Sequence, residues 1–470
     1  MGSPQRGLSS VAPLALRRSG SYNTGVMNER CAFLKSGASR WIELLLLTTL
    51  LGVALGACSP GHTGGDEIGF LRGGALWQID PDGSNLHQVA SGQVIGFSWS
   101  PDHHQIVLRM ANGKTPALPH ALGFGDLKSE LGVTSIDGGD LTQITPPNSG
   151  LWRSDAWWDA SGNRLLYREE TSGSNGQLDA PQWRLSQSDQ PAGIARKDLP
   201  ASVALPAVNS DGSLIASIDA SGRVLVGAPG GQANVVATDA LTRLPGASGY
   251  PARPLWQPGT GALLYATSGP TPDAARLLLR NSNGATHTLL TVANLLQYAW
   301  SPDGRSLLAR TASEYQVYSA NGVERFAWSE SSAASLPFWS PDSRFLLILD
   351  PDGAAFVNVA AQQRQSLLSG AVALPPPPND PNLAAFLRPA ASSPWKADSS
   401  AFLISNDGKG AWNPQPGKPL PGASGSGDGL YLVTLGQQNS AAQFPSLIDW
   451  GEHASVAWST LDPNCAFLIV

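Results

Sequence analysis

A short segment recurs eight times along this chain: a Trp or its equivalent, a tight turn, then a run of apolar residues. The clearest copies are Trp99-Ser100-Pro101-Asp102, Trp300-Ser301-Pro302-Asp303-Gly304 and Trp339-Ser340-Pro341-Asp342. Pro at the second turn position presets φ, Ser and Asp bond nearby backbone groups, and Gly supplies the positive φ that ends the turn. A turn of this kind links antiparallel strands. Strand-like runs follow it: Gln105-Ile106-Val107-Leu108, Arg305-Ser306-Leu307-Leu308-Ala309 and Phe345-Leu346-Leu347-Ile348-Leu349. Weaker copies begin at Trp158, Trp256, Trp395 and Trp458, and Val208 stands in for Trp before Asn209-Ser210-Asp211-Gly212. His103, Ser343 and Ser399 occupy the Gly position, which predicts looser or differently shaped turns there.

The anchors at 99, 158, 208, 256, 300, 339, 395 and 458 lie 39 to 63 residues apart. A four-stranded propeller blade of about 40–50 residues has that period once loops are added. Two further strands fit behind most hairpins, as in Glu314-Tyr315-Gln316-Val317-Tyr318, the Asn321-Gly322 turn and Arg325-Phe326-Ala327-Trp328. No long stretch shows helical spacing of apolar residues. A β-sandwich or a string of small β domains accounts less well for eight similar hairpins without linkers. The sequence therefore predicts an all-β chain, a β-propeller of four-stranded blades that occupies residues 66–470 as one domain. Seven anchors, 99 to 395, can each open a full blade. Three strands before Trp99 lack an anchor, and Trp458 lacks later strands. Joining the N- and C-terminal strands completes an eighth blade and removes exposed sheet edges. Both ends offer a second strand for that blade, Ala466-Phe467-Leu468-Ile469 at the C-terminal one, so a seven-bladed ring with a displaced terminal strand is the alternative.

These residues resemble the TolB-type propeller repeat, also found in the propeller domains of dipeptidyl-peptidase-like enzymes. The resemblance runs from about residue 66 onward and is strongest in the copies at 99, 300 and 339. It implies a propeller and no particular activity.

Leu55-Gly56-Ala57-Cys58 follows the apolar run from Leu44 to Leu51 and a basic stretch carrying Arg30, Lys35 and Arg40. That order is a secretory signal. The small residues before Cys58 resemble the lipobox of bacterial lipoproteins, which implies acylation of the Cys58 thiol and cleavage before it. Leu44 to Ala57 is 14 residues, short of the roughly 20 needed to span a bilayer. Residues 1–57 read as the signal, with Met27 as an alternative start, and residues 58–65 as a flexible tether. The expected location is the bacterial cell envelope, lipid-anchored on the extracytoplasmic side of a membrane. Of three Cys, Cys31 lies in the signal and Cys58 carries lipid, so Cys465 has no disulfide partner and reads as a small buried hydrophobe. The net charge is −6, and residues 1–57 carry six basic and two acidic side chains, leaving −10 on the remainder. An acidic chain of this kind argues against a nucleic-acid partner.

Strand order sorts the loops onto two faces. Turns between first and second strands and between third and fourth strands share one face. Second-to-third loops and blade-to-blade loops share the other, where the long inserts fall: residues 111–130, 146–156, 169–182, 239–254, 370–394, 406–428 and 438–454. Long loops on a rigid scaffold are where recognition residues sit. These inserts carry His120, Phe124, Trp152, Arg153, Tyr250, Arg253, Phe386, Arg388 and Trp412, residue types enriched at binding hot spots. One at a time, each aromatic reads more simply as packing its own loop. No nucleophile elbow, phosphate loop or dinucleotide fingerprint is present. His103-His104 sits in a turn, and Asp80-Pro81-Asp82-Gly83-Ser84-Asn85 lacks the twelfth-position acid of a calcium loop. Neither catalytic nor metal-ligating residues are assigned, and no cofactor is expected. The reading is a binding or scaffold lipoprotein that recruits a protein or glycan with its long-loop face. The alternatives are a propeller hydrolase or lyase with its site in the central channel, or an accessory subunit of a peptidase or transporter.

Overall fold

The computed structural model describes residues 67–458 except 113–127, 148, 155, 160–161, 171–181, 191–196, 201, 204–205, 247–250, 330–334, 351–352, 370–393, 408–410, 413–427, 437–441, 443–445 and 451–453. The signal, the tether, Cys58, Cys465 and the run at 466–469 lie outside the described residues. Every regular element described is a β-strand, and the strands pair antiparallel into eight sheets. Seven of these have four or five strands and one has three.

The sheets follow one another along the chain. Sheet 1 comprises Val94–Trp99, Gln105–Ala111, Ser129–Ser135 and Thr142–Gln143. Sheet 2 comprises Trp152–Arg153 and Trp157–Trp158, both paired with Arg164–Glu170, then Gln182–Gln187 and Lys197–Asp198. Sheet 3 is Ala207–Val208, Ile215–Ile218, Val224–Gly227 and Ala233–Ala237; sheet 4 is Leu255–Trp256, Leu263–Ser268, Ala274–Arg280 and Thr286–Ala293. Sheet 5 is Leu295–Trp300, Ser306–Thr311, Glu314–Ser319 and Glu324–Ser329. Sheet 6 is Leu336–Trp339, Phe345–Asp350, Gly353–Asn358 and Gln363–Ser369, with Ala411–Trp412 added at its outer edge. Sheet 7 is Ala401–Asp407, Asp428–Thr434 and Ser446–Trp450, and Trp395 bridges to its first strand through Phe402. Sheet 8 draws on both ends of the chain: Ala454–Trp458, Ile68–Arg72, Ala75–Ile79 and His87–Ala90.

In sheet 8 the register sets Ile68 against Trp458, Gly69 against Ala457 and Leu71 against Ala454. The expected union of the two ends is therefore present, and Ile68–Arg72 fills the second-strand place that both ends offered. Each sheet packs its apolar residues against the next. Trp158, Leu165 and Tyr167 meet Val107 and Leu131 across sheets 1 and 2, and Leu255 and Leu264 meet Tyr298 and Trp300 across sheets 4 and 5. Leu403 and Leu430 of sheet 7 meet Ile68 and Phe70 of sheet 8, whose Leu71 and Leu76 meet Phe97 and Trp99 of sheet 1. This is a β-propeller, in which face-to-face burial between neighbouring sheets supplies the core.

The recurring turn owes its residues to hydrogen bonds within it. Ser100 Oγ accepts the Gln105 N–H at 2.9 Å and donates to Asp102 Oδ1 at 2.6 Å. Ser301 and Ser340 repeat both bonds, to Ser306 and Asp303 and to Phe345 and Asp342. In weaker copies an Asx oxygen takes the place of the Ser hydroxyl. Asp159 Oδ1 accepts from Arg164 N–H at 3.0 Å, and Asn209 Oδ1 from Leu214 N–H at 2.8 Å. In these five turns a side-chain oxygen acceptor stands five residues before the strand pair closes, supplied by Ser, Asp or Asn, whereas Lys396 fills the position in a turn closed by backbone bonds.

The predicted loosening at His103, Ser343 and Ser399 is corrected. Their φ values of 60°, 64° and 59° match the 66° of Gly304. A left-handed non-Gly residue costs about 1–2 kcal/mol. At two of the three positions a contact between sheets offsets that cost: Ser343 Oγ accepts the Asp303 N–H at 2.9 Å and Ser399 Oγ the Asp342 N–H at 3.0 Å. The last turn residue of one sheet thereby touches the turn of the sheet before it.

The anchor Trp has a similar purpose. Trp158, Trp256 and Trp395 each donate the indole N–H, at 3.0 Å, to a carbonyl of the preceding sheet: Ser98, Ala207 and Phe338 respectively. Each acceptor is the residue just before that sheet's own anchor. An aromatic that fills the space between sheets and carries one donor at its rim suits this position.

Candidate functional site

The strand order carries the loop sorting into the structure. First-to-second and third-to-fourth turns lie at one face of the propeller, and second-to-third and sheet-to-sheet connections at the other. The strand ends on the second face are joined by residues 112–128 in sheet 1, 171–181 in sheet 2, 238–254 between sheets 3 and 4, 370–394 between sheets 6 and 7, and 408–427 in sheet 7. The face is uneven, because sheet 5 joins its second and third strands through residues 312–313 alone.

Three inserts change character. Residues 435–445 join the third and fourth strands of sheet 7, whose ends there lie on the short-turn face; Ser446–Trp450 is strand, and 451–453 join it to sheet 8. The insert expected over 438–454 is thus mostly something else. Likewise Trp152–Arg153 pairs with Glu169 and Glu170 as an interrupted first strand of sheet 2, inside the expected 146–156 loop. Ala411–Trp412 pairs with Leu368 and Ser369, so this part of the 408–427 connection caps the outer strand of sheet 6.

Of the nine candidate binding residues, His120, Phe124, Tyr250, Phe386 and Arg388 lie outside the described residues. Trp152 and Trp412 are placed in the strands just named. Arg153 and Arg253 are described in full, and their surroundings differ sharply.

Arg153 is completely buried. Its Nε pairs with Glu169 Oε1 at 2.9 Å, and its Nη atoms donate to Ser129 O and to Ser149 Oγ at 2.9 Å. Glu169 also holds Arg184 at 3.0 Å, and Arg184 reaches Asp198 at 2.7 Å. The Arg153 carbonyl accepts from Arg109 Nη1 at 3.0 Å. This network joins sheets 1 and 2, and Arg153 gives its donors to it, not to solvent. Arg109, Arg168 and Arg310 share one position, the fourth residue after the closing residue of the turn, a spacing readable in the sequence. Arg310 Nη1 donates at 2.7 Å to Ser335 O, just before the first strand of sheet 6, the counterpart of the Arg109 bond.

Arg253 has no such supply of acceptors. It sits on the lead-in to the first strand of sheet 4, partly buried, and its Nε–H is buried without a hydrogen-bond partner. Its backbone is pinned from two sides. The Tyr298 hydroxyl of sheet 5 donates to the Arg253 carbonyl, and Ala252 N–H donates to Thr242 O at 3.0 Å. Burial pushes the guanidinium down to about 10, with the neighbouring Tyr298 acting the other way. Burial also raises the Tyr298 phenol, against the opposing pull of Arg253. At neutral pH the pair is a cation beside a neutral phenol. Among the described residues no group of three or more His, Cys, Asp and Glu side chains could hold a metal ion.

No protein-family model matches the chain, and neither does any curated protein. Solved structures similar to it include a eukaryotic initiation factor, 10% identical, with a TM-score of 0.47 over 84% of this chain and 98% of that one. An oligogalacturonate lyase in complex with manganese is 14% identical, with a TM-score of 0.45 over 80% and 97%. A protein assigned as TolB from Agrobacterium tumefaciens is 12% identical, with a TM-score of 0.33 over 60% and 94%. The propeller assignment rests on the strand pairing itself.

Proposed function

We propose that this chain is a lipid-anchored, extracytoplasmic binding scaffold: eight sheets closed as eight blades of one ring, displaying long loops to a protein or glycan partner. The observation that carries the reading is the asymmetry between the faces. Apart from residues 188–196 and 435–445, one face is joined by short turns, some of them interlocked, such as Asp303 with Ser343 and Asp342 with Ser399. The other collects connections of 11 to 25 residues, the kind of loop in which recognition residues concentrate. A rigid ring lowers the ordering cost of binding, because the roots of each loop are already held. Cys58 supplies the membrane tether, which raises the local concentration of the scaffold at the envelope.

Fractionation and capture test the two halves separately. Cys58→Ser is expected to move the protein from the membrane to the soluble fraction; unchanged membrane retention would count against acylation. The pair Tyr250→Ala with Trp412→Ala is expected to abolish capture of a partner from envelope membranes while the melting temperature stays within about 2 °C. Capture lost only on substitution in the short turns would reverse the assignment of faces.

A further inference from the structure

The register of sheet 8 fixes the face at which the chain enters the ring. Ile68 lies opposite Trp458 and Ile79, at the end where first and second strands, and third and fourth strands, are joined. Arg72 and Ala75, linked through Gly73 and Gly74, lie at the other end, with the long-loop face. The polypeptide arriving from Cys58 therefore meets the propeller on its short-turn face. Ala454–Trp458 flanks Ile68–Arg72 on one side, and Ala75–Ile79 followed by His87–Ala90 on the other. The entry point is thus held inside the sheet, two strands from its outer edge.

Chain length limits what a lipid at Cys58 permits. Nine residue steps separate Cys58 from Glu67, a reach of about 30–32 Å at full extension. Gly61, Gly64 and Gly65 fall in this segment, and a flexible segment of that length has a typical end-to-end distance of about 15–18 Å. With the short-turn face toward the bilayer, all of that length serves as clearance. With the long-loop face toward it, the tether first passes two strands outward, about 10 Å, and then runs the length of the sheet, about 17 Å. Almost nothing is then left to clear the long loops themselves. The inward route passes Ala454–Trp458, threads the axis of the ring and covers the same strand length.

Charge governs the approach of this face to lipid. The turns at 80–86, 100–104 and 136–141, on the short-turn face of sheets 8 and 1, carry Asp80, Asp82, Asp102, Asp137 and Asp140 and no Lys or Arg. An anionic surface repels them within a screening length of about 8 Å at physiological salt. The face stands off from such a bilayer and does not adhere to it.

We propose that the tether sets the ring with its short-turn face toward the membrane and its long-loop face away, so that the long loops meet partners presented from the water on the far side. This deepens the scaffold reading and rests on its lipid anchor. It names the kind of partner the loop face takes: a soluble molecule or a domain standing well clear of the bilayer, not lipid and not a membrane-embedded segment.

The test uses the acylated protein in phosphatidylcholine vesicles, in a Cys465→Ser background. A fluorescent donor is placed at one of four exposed positions: Leu86→Cys or Val323→Cys on the short-turn face, Ser91→Cys or Ser313→Cys on the long-loop face. Leu86 and Ser91 flank His87–Ala90 of sheet 8, and Ser313 and Val323 lie at opposite ends of Glu314–Ser319 of sheet 5, so each pair reports both faces of one sheet. Energy transfer to acceptor-labelled lipid headgroups is expected to be at least about twofold stronger from 86 than from 91, and from 323 than from 313, because the members of a pair stand about a strand length apart. Lengthening the tether after Ser59 by about twenty Gly and Ser residues nearly doubles its typical reach and is expected to remove the difference. Equal transfer within the pairs, or stronger transfer from the long-loop face, overturns the proposal while the anchor stands. An asymmetry that survives the longer tether overturns it too, because a face then adheres to lipid by itself. A protein that does not float with the vesicles, or a Cys58→Ser variant that floats equally, overturns the anchor reading and this inference with it.

Discussion

The identity of a single side chain is most constrained where two sheets meet. Trp158 and Trp300 are each 1% exposed and occupy equivalent anchor positions, but Trp158 donates to Ser98 O while the Trp300 Nε1–H lacks an acceptor. Replacement by Phe removes similar indole bulk at both sites and breaks a hydrogen bond at one. The difference between the two variants therefore isolates the bond. Trp158→Phe is expected to be less stable than Trp300→Phe by about 1 kcal/mol, read as the gap between their urea midpoints at an unchanged slope. Equal midpoints would assign the indole bond no net stabilising effect and leave packing as the reason for Trp. The same logic explains Val208, which fills the space in sheet 3 and carries no donor. Its place shows that volume is required of every anchor and the donor only of some.

At the scale of an element, the turn is both the most legible part of this chain and the most sharply testable. Gly304 has φ of 66°, and a Cβ there would lie 2.6 Å from Pro258 O of the preceding turn. Gly304→Ala combines left-handed strain of about 1–2 kcal/mol with a backbone clash, so a loss of about 2 kcal/mol or more is expected. Ser343→Gly makes the opposite exchange, trading relief of strain against the bond from Asp303 N–H, and should shift stability by less than about 1 kcal/mol. Thermal melts of the two variants decide it, and similar losses would refute the account of the turn. These elements could be read from sequence because their bonds span five residues, so the acceptor, the Pro and the apolar run appear together. The Trp152–Arg153 strand could not. It is two residues long, too short to show a period, and its partners at Glu169 and Glu170 lie across an intervening hairpin. Arg153 looked like a recognition residue for the same reason. Its carboxylate partner comes from strand pairing, and nothing nearby in the chain distinguishes a paired arginine from a free one. Trp412 follows suit, since its pairing with Leu368 spans sheets 6 and 7.

For the whole molecule, closure was foreseeable from arithmetic on the anchors, because an anchor without later strands and strands without an anchor complete each other. The physical consequence is that a five-residue strand, Ala454–Trp458, holds the two ends of the propeller together. Without it, Ile68–Arg72 becomes an edge, and Ile68 and Phe70, both 0% exposed, lose the first strand of their own sheet beside their packing on Leu403 and Leu430. Each sheet in a closed ring is supported on two sides, whereas an open arc leaves two sheets with one neighbour each. Loss of this strand should therefore cost more than its own contacts and broaden the unfolding transition as well as lower it. A chain ending at residue 458 is expected to melt in one sharp step. A chain ending at residue 450 should melt earlier and over a wider range and bind a dye specific for exposed apolar surface. A synthetic peptide of residues 451–458 should restore the sharp step when added in excess, since it binds the folded form alone. If the chain ending at 450 melts as sharply and as late as the longer one, sheets 7 and 1 do not depend on the joined ends, and stability resides in each pair of neighbouring sheets separately.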